Sequence, residues 1–289
     1  MGHLKHKVAG RQVKSVLQQA ILTLSLAGCD TPRLDAEVIL AHLLTQERSW
    51  LYAHSYDLLS EAMVQAFAEA IQRRVKRAPV AYITGEREFF GLAFEVRPAV
   101  LIPRPETELL VEQAIQLIGH RPSLVVDVGA GSGCIAIALA LHCSQARLVA
   151  TDISSDALHI ARRNAARHGV ADRLYFIQTD LLAGLKGPVD LLASNPPYIS
   201  TSEMETLTPE ITQYEPRLAL TDGGTGLSII AKILAEAPAI IRPGGVLLLE
   251  FGAGQGPQVL RLAQTYSPAA AFEIKPDLAG RDRLLMGRF

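Results

Sequence analysis

The sequence predicts an α/β fold, a mostly parallel sheet with helices on both faces, behind a small helical domain. Three observations predict it. From about residue 105 onward, short apolar runs alternate with stretches of helical periodicity, the pattern of parallel strands joined by crossover helices. Residues 11 to about 77 have helical periodicity and no clear strand pattern. Between the two, "EFFGLAFEV" has the form of two short strands around a glycine turn, and Pro98, Pro103 and Pro105 stiffen the segment after it. The expected organisation is a helical bundle over 1–80, a β-hairpin linker over 81–104 and the α/β domain over 105–289. A chain of 289 residues accommodates a small and a large unit, and a hydrophobic fraction of 49% supplies a sizeable core.

Each element has a local reason. Val13, Val16, Leu17, Ala20, Ile21 and Leu24 recur at helical spacing, and Gly28 ends that helix. Thr31 before Pro32 starts a second helix, and Ser60 starts a third over "SEAMVQAFAEAIQRRVKR". Trp50 and Tyr52 are expected to pack inside this bundle. In the larger domain "PETELLVEQAIQLI" is a helix, "SLVVDVG" a buried strand and "SGCIAIALALHC" its helix. "RLVATD" is a strand followed by the helix "SSDALHIARRNAARHG", which Gly169 closes. "LYFIQTD" and "VDLLASN" are strands, "GLSIIAKILAEAPAII" a helix and "GGVLLLEFG" a strand. "GQGPQVLRLAQTY" is the last helix, and "AFEIKPD" and "RLLMGRF" are the last strands.

Composition narrows the classes. No apolar run reaches the ~18 residues of a membrane helix. The basic start "MGHLKHKVAGRQ", with His3 and His6, is not followed by the apolar core of a signal peptide. A soluble, cytoplasmic protein with no membrane partner is expected. Cys29, Cys134 and Cys143 are an odd, sparse set without metal-ligand spacing, which fits a reducing compartment, and no metal is expected. A net charge of −1 does not suit a protein whose affinity rests on neutralising many phosphates. The basic run Arg73, Arg74, Lys76 and Arg77 is a local exception.

The ligand end of the sheet is visible in "VVDVGAGSGCIA". A glycine-rich turn between a buried strand and a helix lies where such sheets bind ligands. Its spacing is G-x-G-x-G; Cys134 stands where the dinucleotide fingerprint needs glycine or alanine, so a pyrophosphate cradle is disfavoured. Asp127 suits a cationic amino group better than a phosphate. Asp152 ends the next strand and can accept from both ribose hydroxyls. Asp180 ends the third, positioned for an exocyclic amine of adenine, with Leu181 against the ring. A ligand with a ribose, an adenine and an ammonium but no phosphate is S-adenosylmethionine.

The fourth strand ends in "SNPPY". Prolines cannot donate to a sheet ladder, so Asn195, Pro196, Pro197 and Tyr198 form a stiff extended turn. The Asn195 side-chain carbonyl and the fixed backbone carbonyls can accept both hydrogens of a planar NH₂ group, with Tyr198 flat against its π system. The benefit is positioning and fixed dipoles. Adenine, guanine and glutamine all qualify as acceptors.

The pieces "GEREFFGLAFEV", "VLIPRPETELLVE", "VVDVGAGSGCIAIALA", "SNPPYI", "YEPRLALTDGGTGL" and "RPGGVLLLEFGAGQG" together resemble the HemK/PrmC family of release factor glutamine methyltransferases. "PRPETE" and "YEPRLAL…GG…GL" carry most of the specificity. The resemblance implies a seven-stranded, Rossmann-like class I methyltransferase sheet with a helical N-terminal domain joined by a hairpin. It implies methyl transfer from S-adenosylmethionine, leaving S-adenosylhomocysteine, to the glutamine of the Gly-Gly-Gln motif in class 1 peptide chain release factors. By the same resemblance, Asp127, Val128, Gly129, Ala130, Gly131, Asp152 and Asn195 contact the donor, while Asn195 to Tyr198 hold the glutamine. The family often has an aromatic residue where this chain has Leu181. Arg104, Glu106 and Thr107 are expected to line the cleft. The N-terminal bundle, through its basic run, is expected to contact the protein substrate. The expected protein is a monomer that needs no direct nucleic-acid contact. The rival readings are a nucleic-acid exocyclic-amine methyltransferase, a non-catalytic adenosine-ligand binder and a nicotinamide dehydrogenase.

Overall fold

The computed structural model describes residues 11–289, so His3 and His6 lie outside the described residues. Contacts divide the chain into two compact units, one reaching to Gly85 and including Pro209–Tyr214, the other Glu86–Thr208 with Glu215–Phe289.

In the first unit a two-residue strand β1 (Arg11–Gln12) leads into α1 (Val13–Leu26), followed by α2 (Pro32–Leu44), α3 (Arg48–Ala53), β2 (Leu58–Leu59), α4 (Glu61–Val75) and α5 (Val80–Thr84). The paired β1 and β2 and the helix α5 carry no periodicity that sequence reasoning would detect. α1 buries Val13, Val16, Ala20 and Leu24, one stripe at helical spacing, and Gly28 follows it at φ +72°. Ser60 caps α4 by accepting from the Met63 amide at 3.2 Å. Thr31 occupies the cap position of α2, but its hydroxyl donates to the Asp35 carboxylate at 2.7 Å instead of accepting from the backbone. Trp50 is partly buried and stacks on His54, whereas Tyr52 is 60% exposed and donates to Glu37, so only Trp50 packs as expected.

The basic run is not the open surface expected from it. Arg74 is buried and pairs with Asp35 at 2.7 Å and Glu210 at 2.8 Å. Arg77 pairs with the same Glu210 at 2.7 Å and donates to the Gly28 carbonyl. Arg73 donates to the Tyr82 carbonyl. These charges hold the distant segment Pro209–Tyr214 within this unit; a burial this deep requires paired partners.

The second unit opens with the hairpin β3 (Glu86–Phe89) and β4 (Leu92–Glu95). It does not behave as a linker: Phe89 and Phe94 are buried in the core of this unit. Then come α6 (Glu108–Ile118), β5 (Ser123–Val128), α7 (Cys134–His142), β6 (Ala146–Asp152), α8 (Ser155–Arg167), β7 (Leu174–Gln178) and β8 (Val189–Ser194). After β8 lie two short helices the sequence did not reveal, α9 (Thr201–Met204) and α10 (Pro209–Tyr214), the latter belonging to the first unit. The chain ends with α11 (Ser228–Glu236), β9 (Ile241–Glu250), α12 (Gly256–Tyr266), β10 (Ala271–Pro276) and β11 (Asp282–Arg288).

The sheet has seven strands in the order β10-β11-β9-β8-β5-β6-β7; β11 runs antiparallel to both its neighbours, β10 and β9, and the other six strands share one direction. Strand alternation builds two cores. Val125, Leu191, Ala193, Val246 and Leu248 face α6 and α7; Val126, Val128, Leu192, Leu247 and Leu249 face α11 and α12. The chain steps from β5 through β6 to β7, then crosses to β8 on the other side of β5. That reversal opens a crevice at the carboxyl ends of β5, β6 and β8.

Candidate active site

A cavity of about 380 Å³ lies in this crevice. It is lined by Gly129, Gly131, Asp152, Asp180, Leu181, Asn195 and Pro197 among others, so the segments after four strands, β5, β6, β7 and β8, converge on it.

Gly131 sits at φ +55° with open space where a side chain would point, so the backbone itself forms the cavity wall. Gly133 serves differently. A Cβ there would lie 3.1 Å from the Ala161 Cβ, so this glycine lets α7 pack against α8. Asp152 holds the turn together: its carboxylate accepts from the Gly131 amide at 2.9 Å and from the Ser154 amide at 2.8 Å. Each oxygen keeps lone-pair capacity for a ligand. Burial raises the Asp152 pKa against those two bonds. Leu181 adopts φ +51°, unusual for a branched residue, and presents an apolar side chain at the cavity.

Asp127, Val128, Ala130, Pro196 and Tyr198 are not among the lining residues. Asp127 is fully buried, faces α7, and accepts from the Ala136 amide at 3.2 Å; its Oδ1 has no partner. Burial, with the nearby Asp152 charge, raises its pKa to about 7. Pro196 is buried beneath the turn.

Asn195 follows Ser194, which pairs with Leu249, so Asn195 and Glu250 stand side by side at the ends of β8 and β9. The Asn195 Nδ2 donates to Thr107 Oγ1 at 2.9 Å, and Thr107 is buried. Tyr198 donates its hydroxyl to Glu250 Oε1 at 3.2 Å, while its carbonyl accepts from Gln255 Nε2 at 2.8 Å. Gly226 lies so close that a Cβ there would meet the Tyr198 carbonyl oxygen at 2.1 Å. Burial raises the Tyr198 pKa, with the Glu250 charge adding to it, so the phenol stays protonated. Burial also lifts Glu250 to about 7, against the Tyr198 hydroxyl and the charge of Arg283, and its Oε2 has no hydrogen-bond partner.

The two most specific motifs brace this turn. Arg104 donates to Glu215 at 2.6 Å, and the Ile102 amide donates to the same carboxylate at 3.1 Å. Glu108 accepts from the Phe90 amide at 2.9 Å and so fixes the hairpin turn. Asp222 accepts from the amides of Gly224, Gly226 and Ser228; burial opposes ionisation, but these bonds hold it at about 2. Of the cleft residues expected from the resemblance, Arg104 serves as a brace, Thr107 supports Asn195, and Glu106 is exposed. Glu250 and Gln255 were missed. Glu250 had a signal: "VLLLE" ends a buried strand in an acid, as do the strands ending in Asp127, Asp152 and Asp180.

The seven-stranded sheet, its strand order and the cavity at the switch point define a class I methyltransferase fold. The solved hMettl16 catalytic domain shares that fold, at 14% identity and a TM-score of 0.57 over 86% of this chain and 90% of that one. Residues 15–85 match the family model described as PrmC N-terminal domain, and residues 105–242 the one described as Methyltransferase small domain. The release factor glutamine methyltransferase of Nitratidesulfovibrio vulgaris is 44% identical over 96% of this chain and 95% of its own length. That of Cereibacter sphaeroides is 43% identical over 94% and 96%. The chain belongs to the release factor glutamine methyltransferase family.

Proposed function

We propose that this chain transfers a methyl group from S-adenosylmethionine to the side-chain amide nitrogen of the glutamine in the Gly-Gly-Gln motif of class 1 peptide chain release factors. One observation carries the reading. Asn195, at the rim of a cavity of about 380 Å³, is tethered through its amide nitrogen, which leaves its carbonyl oxygen to accept from a planar amide. The names of the relatives support the acceptor.

S-adenosylmethionine supplies an electrophilic methyl group on a sulfonium when bound. The residues present fit it. Gly129 and Gly131 leave room against their backbone, Asp152 keeps lone pairs for two ribose hydroxyls, and Asp180 with Leu181 offers an acceptor beside an apolar wall. Asp127 acts from behind the turn, its orphaned Oδ1 adding negative potential near an ammonium. Asn195 and the backbone carbonyl of Pro196 accept the two hydrogens of the glutamine NH₂, with Pro197 and Tyr198 confining its plane. The nitrogen–methyl bond forms as the sulfur–methyl bond breaks, and the nitrogen releases one proton to solvent. These residues contribute orientation and fixed dipoles.

The helical unit is a second contact surface for the protein substrate, with Leu22, Leu26 and Tyr56 exposed on it. The enzyme works as a cytoplasmic monomer; among the described residues no helix is long and apolar enough to cross a membrane. Labelled S-adenosylmethionine offered with a folded release factor, the same factor with that glutamine changed to alanine, and bulk RNA and DNA tests the proposal. Label on the intact factor alone is expected. Label on nucleic acid, with none on the factor, would overturn it.

A further inference from the structure

The turn from Asn195 to Tyr198 starts from a fixed point. Ser194, the last residue of β8, is paired in register with Val128 and Leu249. Pro196 and Pro197 carry no amide hydrogen, so neither can tie the turn down by donating. Their rings fix φ and leave ψ free, so a turn held at one end can still swing. The far end is held by a side chain from another connection. The Tyr198 carbonyl accepts from Gln255 Nε2 at 2.8 Å, and Gln255 Oε1 accepts from the Gly252 amide at 2.8 Å. Both partners are backbone groups with one role each. An N–H only donates and a carbonyl only accepts, so the Gln255 amide has a single workable orientation. Two glycines make room for it. A Cβ on Gly226 would meet the Tyr198 oxygen at 2.1 Å and Gln255 Nε2 at 3.0 Å; one on Gly252 would meet Gln255 Oε1 at 3.0 Å and the Tyr198 ring at 3.2 Å.

We infer that Gln255 is a positioning residue whose side-chain amide, bridging the Gly252 amide and the Tyr198 carbonyl, fixes the far end of the turn and so the placement of Asn195 and Pro197 at the cavity. This rests on the proposed transfer to an amide nitrogen. Gln255 lies between β9 and α12, so the bridge joins the end of the β8 turn to the connection that follows the neighbouring strand. Gln255 is not among the residues lining the cavity; it acts through the backbone of the turn. A displacement of about 1 Å at a reacting centre costs on the order of a hundredfold in rate, and placement is what this turn supplies.

The test uses the full chain with Gln255→Glu and Gln255→Leu. Gln255→Glu keeps the shape and makes the bridge depend on a proton. The ionised carboxylate keeps the Gly252 bond but sets an acceptor against the Tyr198 carbonyl. The protonated acid donates its O–H to Tyr198 while its other oxygen accepts from Gly252, which restores the bridge. An acceptor facing the ionised form also raises the carboxyl pKa. Gln255→Leu removes the bridge at every pH. The titratable groups nearby are Glu250 on the Tyr198 hydroxyl, Asp222 on the Gly226 amide, Asp282 beside Gly256 and Arg283 on the Phe251 carbonyl. Wild type and variants share them, so the ratio of variant to wild-type kcat cancels their titration.

Two readouts are taken from about pH 8 down to about pH 5, a window that approaches the ordinary carboxyl range. One is kcat with release factor, beside the calorimetric donor Kd. The other is the NMR signal of the Tyr198 carbonyl in protein made with carbonyl-labelled tyrosine, identified by its loss in Tyr198→Phe. At the upper pH both Gln255 variants are expected to lose on the order of tenfold to a hundredfold in kcat, with donor Kd unchanged and the carbonyl signal moved upfield. As pH falls, Gln255→Glu is expected to recover both relative to wild type, and Gln255→Leu neither. Unaltered kcat and carbonyl signal in Gln255→Leu would overturn the inference, as would a Gln255→Glu variant that recovers neither. A loss of donor binding matching the loss of kcat would overturn it too, because the bridge would then hold the fold and not the turn. Failure of the wild type to methylate the factor would sink the functional reading, while the carbonyl signal would still decide whether Gln255 holds Tyr198.

Discussion

Arg104 donates to Glu215 at 2.6 Å across a sequence separation of 111 residues, joining "PRPETE" to "YEPRLAL". The Glu215 side chain is buried, and its other oxygen takes the Ile102 amide. The bond ties Ala99–Leu101 to Pro216–Ala219, both of which line the cavity. Arg104→Met should cost about 3 kcal/mol of stability, the cost of stranding a buried carboxylate. Donor affinity should fall with it, because two cavity edges lose their tie. Chemical denaturation and calorimetry check this, and a variant that matches wild type in both would show that the brace is dispensable.

Asn195→Ala removes the acceptor oxygen but leaves the lobe formed by Gly131, Asp152 and Leu181 intact. We expect kcat to fall on the order of a hundredfold or more, with donor binding still measurable. Single-turnover transfer from labelled donor, paired with calorimetry, separates the two. Near wild-type transfer would rule out the clamp.

Asp152→Ala should weaken donor binding by about 1.5–3 kcal/mol, the range for hydrogen bonds to a charged group. The loss has two sources, the ribose contacts and the freed amides of Gly131 and Ser154. Unchanged affinity by calorimetry would exclude the ribose assignment.

The pH dependence of stability has a sign set by Asp127 and Glu250, both raised to about 7. Between about pH 4 and 7 the folded chain holds protons that the unfolded chain has released. Unfolding free energy therefore falls as pH rises through that window and levels off above it. Glu95, held at about 2 chiefly by Arg163, acts in the opposite direction and lower, losing its contribution as pH falls below about 4. Melting midpoints measured from about pH 5 to 8 should decline in wild type and decline less in Asp127→Asn. An equal slope in both proteins would show that Asp127 ionises normally.

Most of the sheet and the glycine-turn end of the cavity were legible in the chain itself. Alternation of apolar runs with helical periodicity needs no partner to be seen, and the glycine turn, Asp152, Asp180 and "NPPY" are local strings whose geometry is set by adjacent residues. What tertiary structure decided lies at pairings far apart in sequence. Arg74 and Arg77 looked like an exposed basic run, yet Glu210, from a segment beyond β8, neutralises them. The hairpin looked like a linker because Phe89 and Phe94 do not announce which core they enter. Asp127 looked like a ligand contact, but strand alternation turns it toward α7 and away from the cavity. Glu250 and Thr107 became part of the site only when β9 registered against β8 beneath the start of α6. Local propensity and motif spacing reach a few residues along the chain; charge pairing and side-chain orientation in a core depend on which strands and helices become neighbours, and only folding sets that.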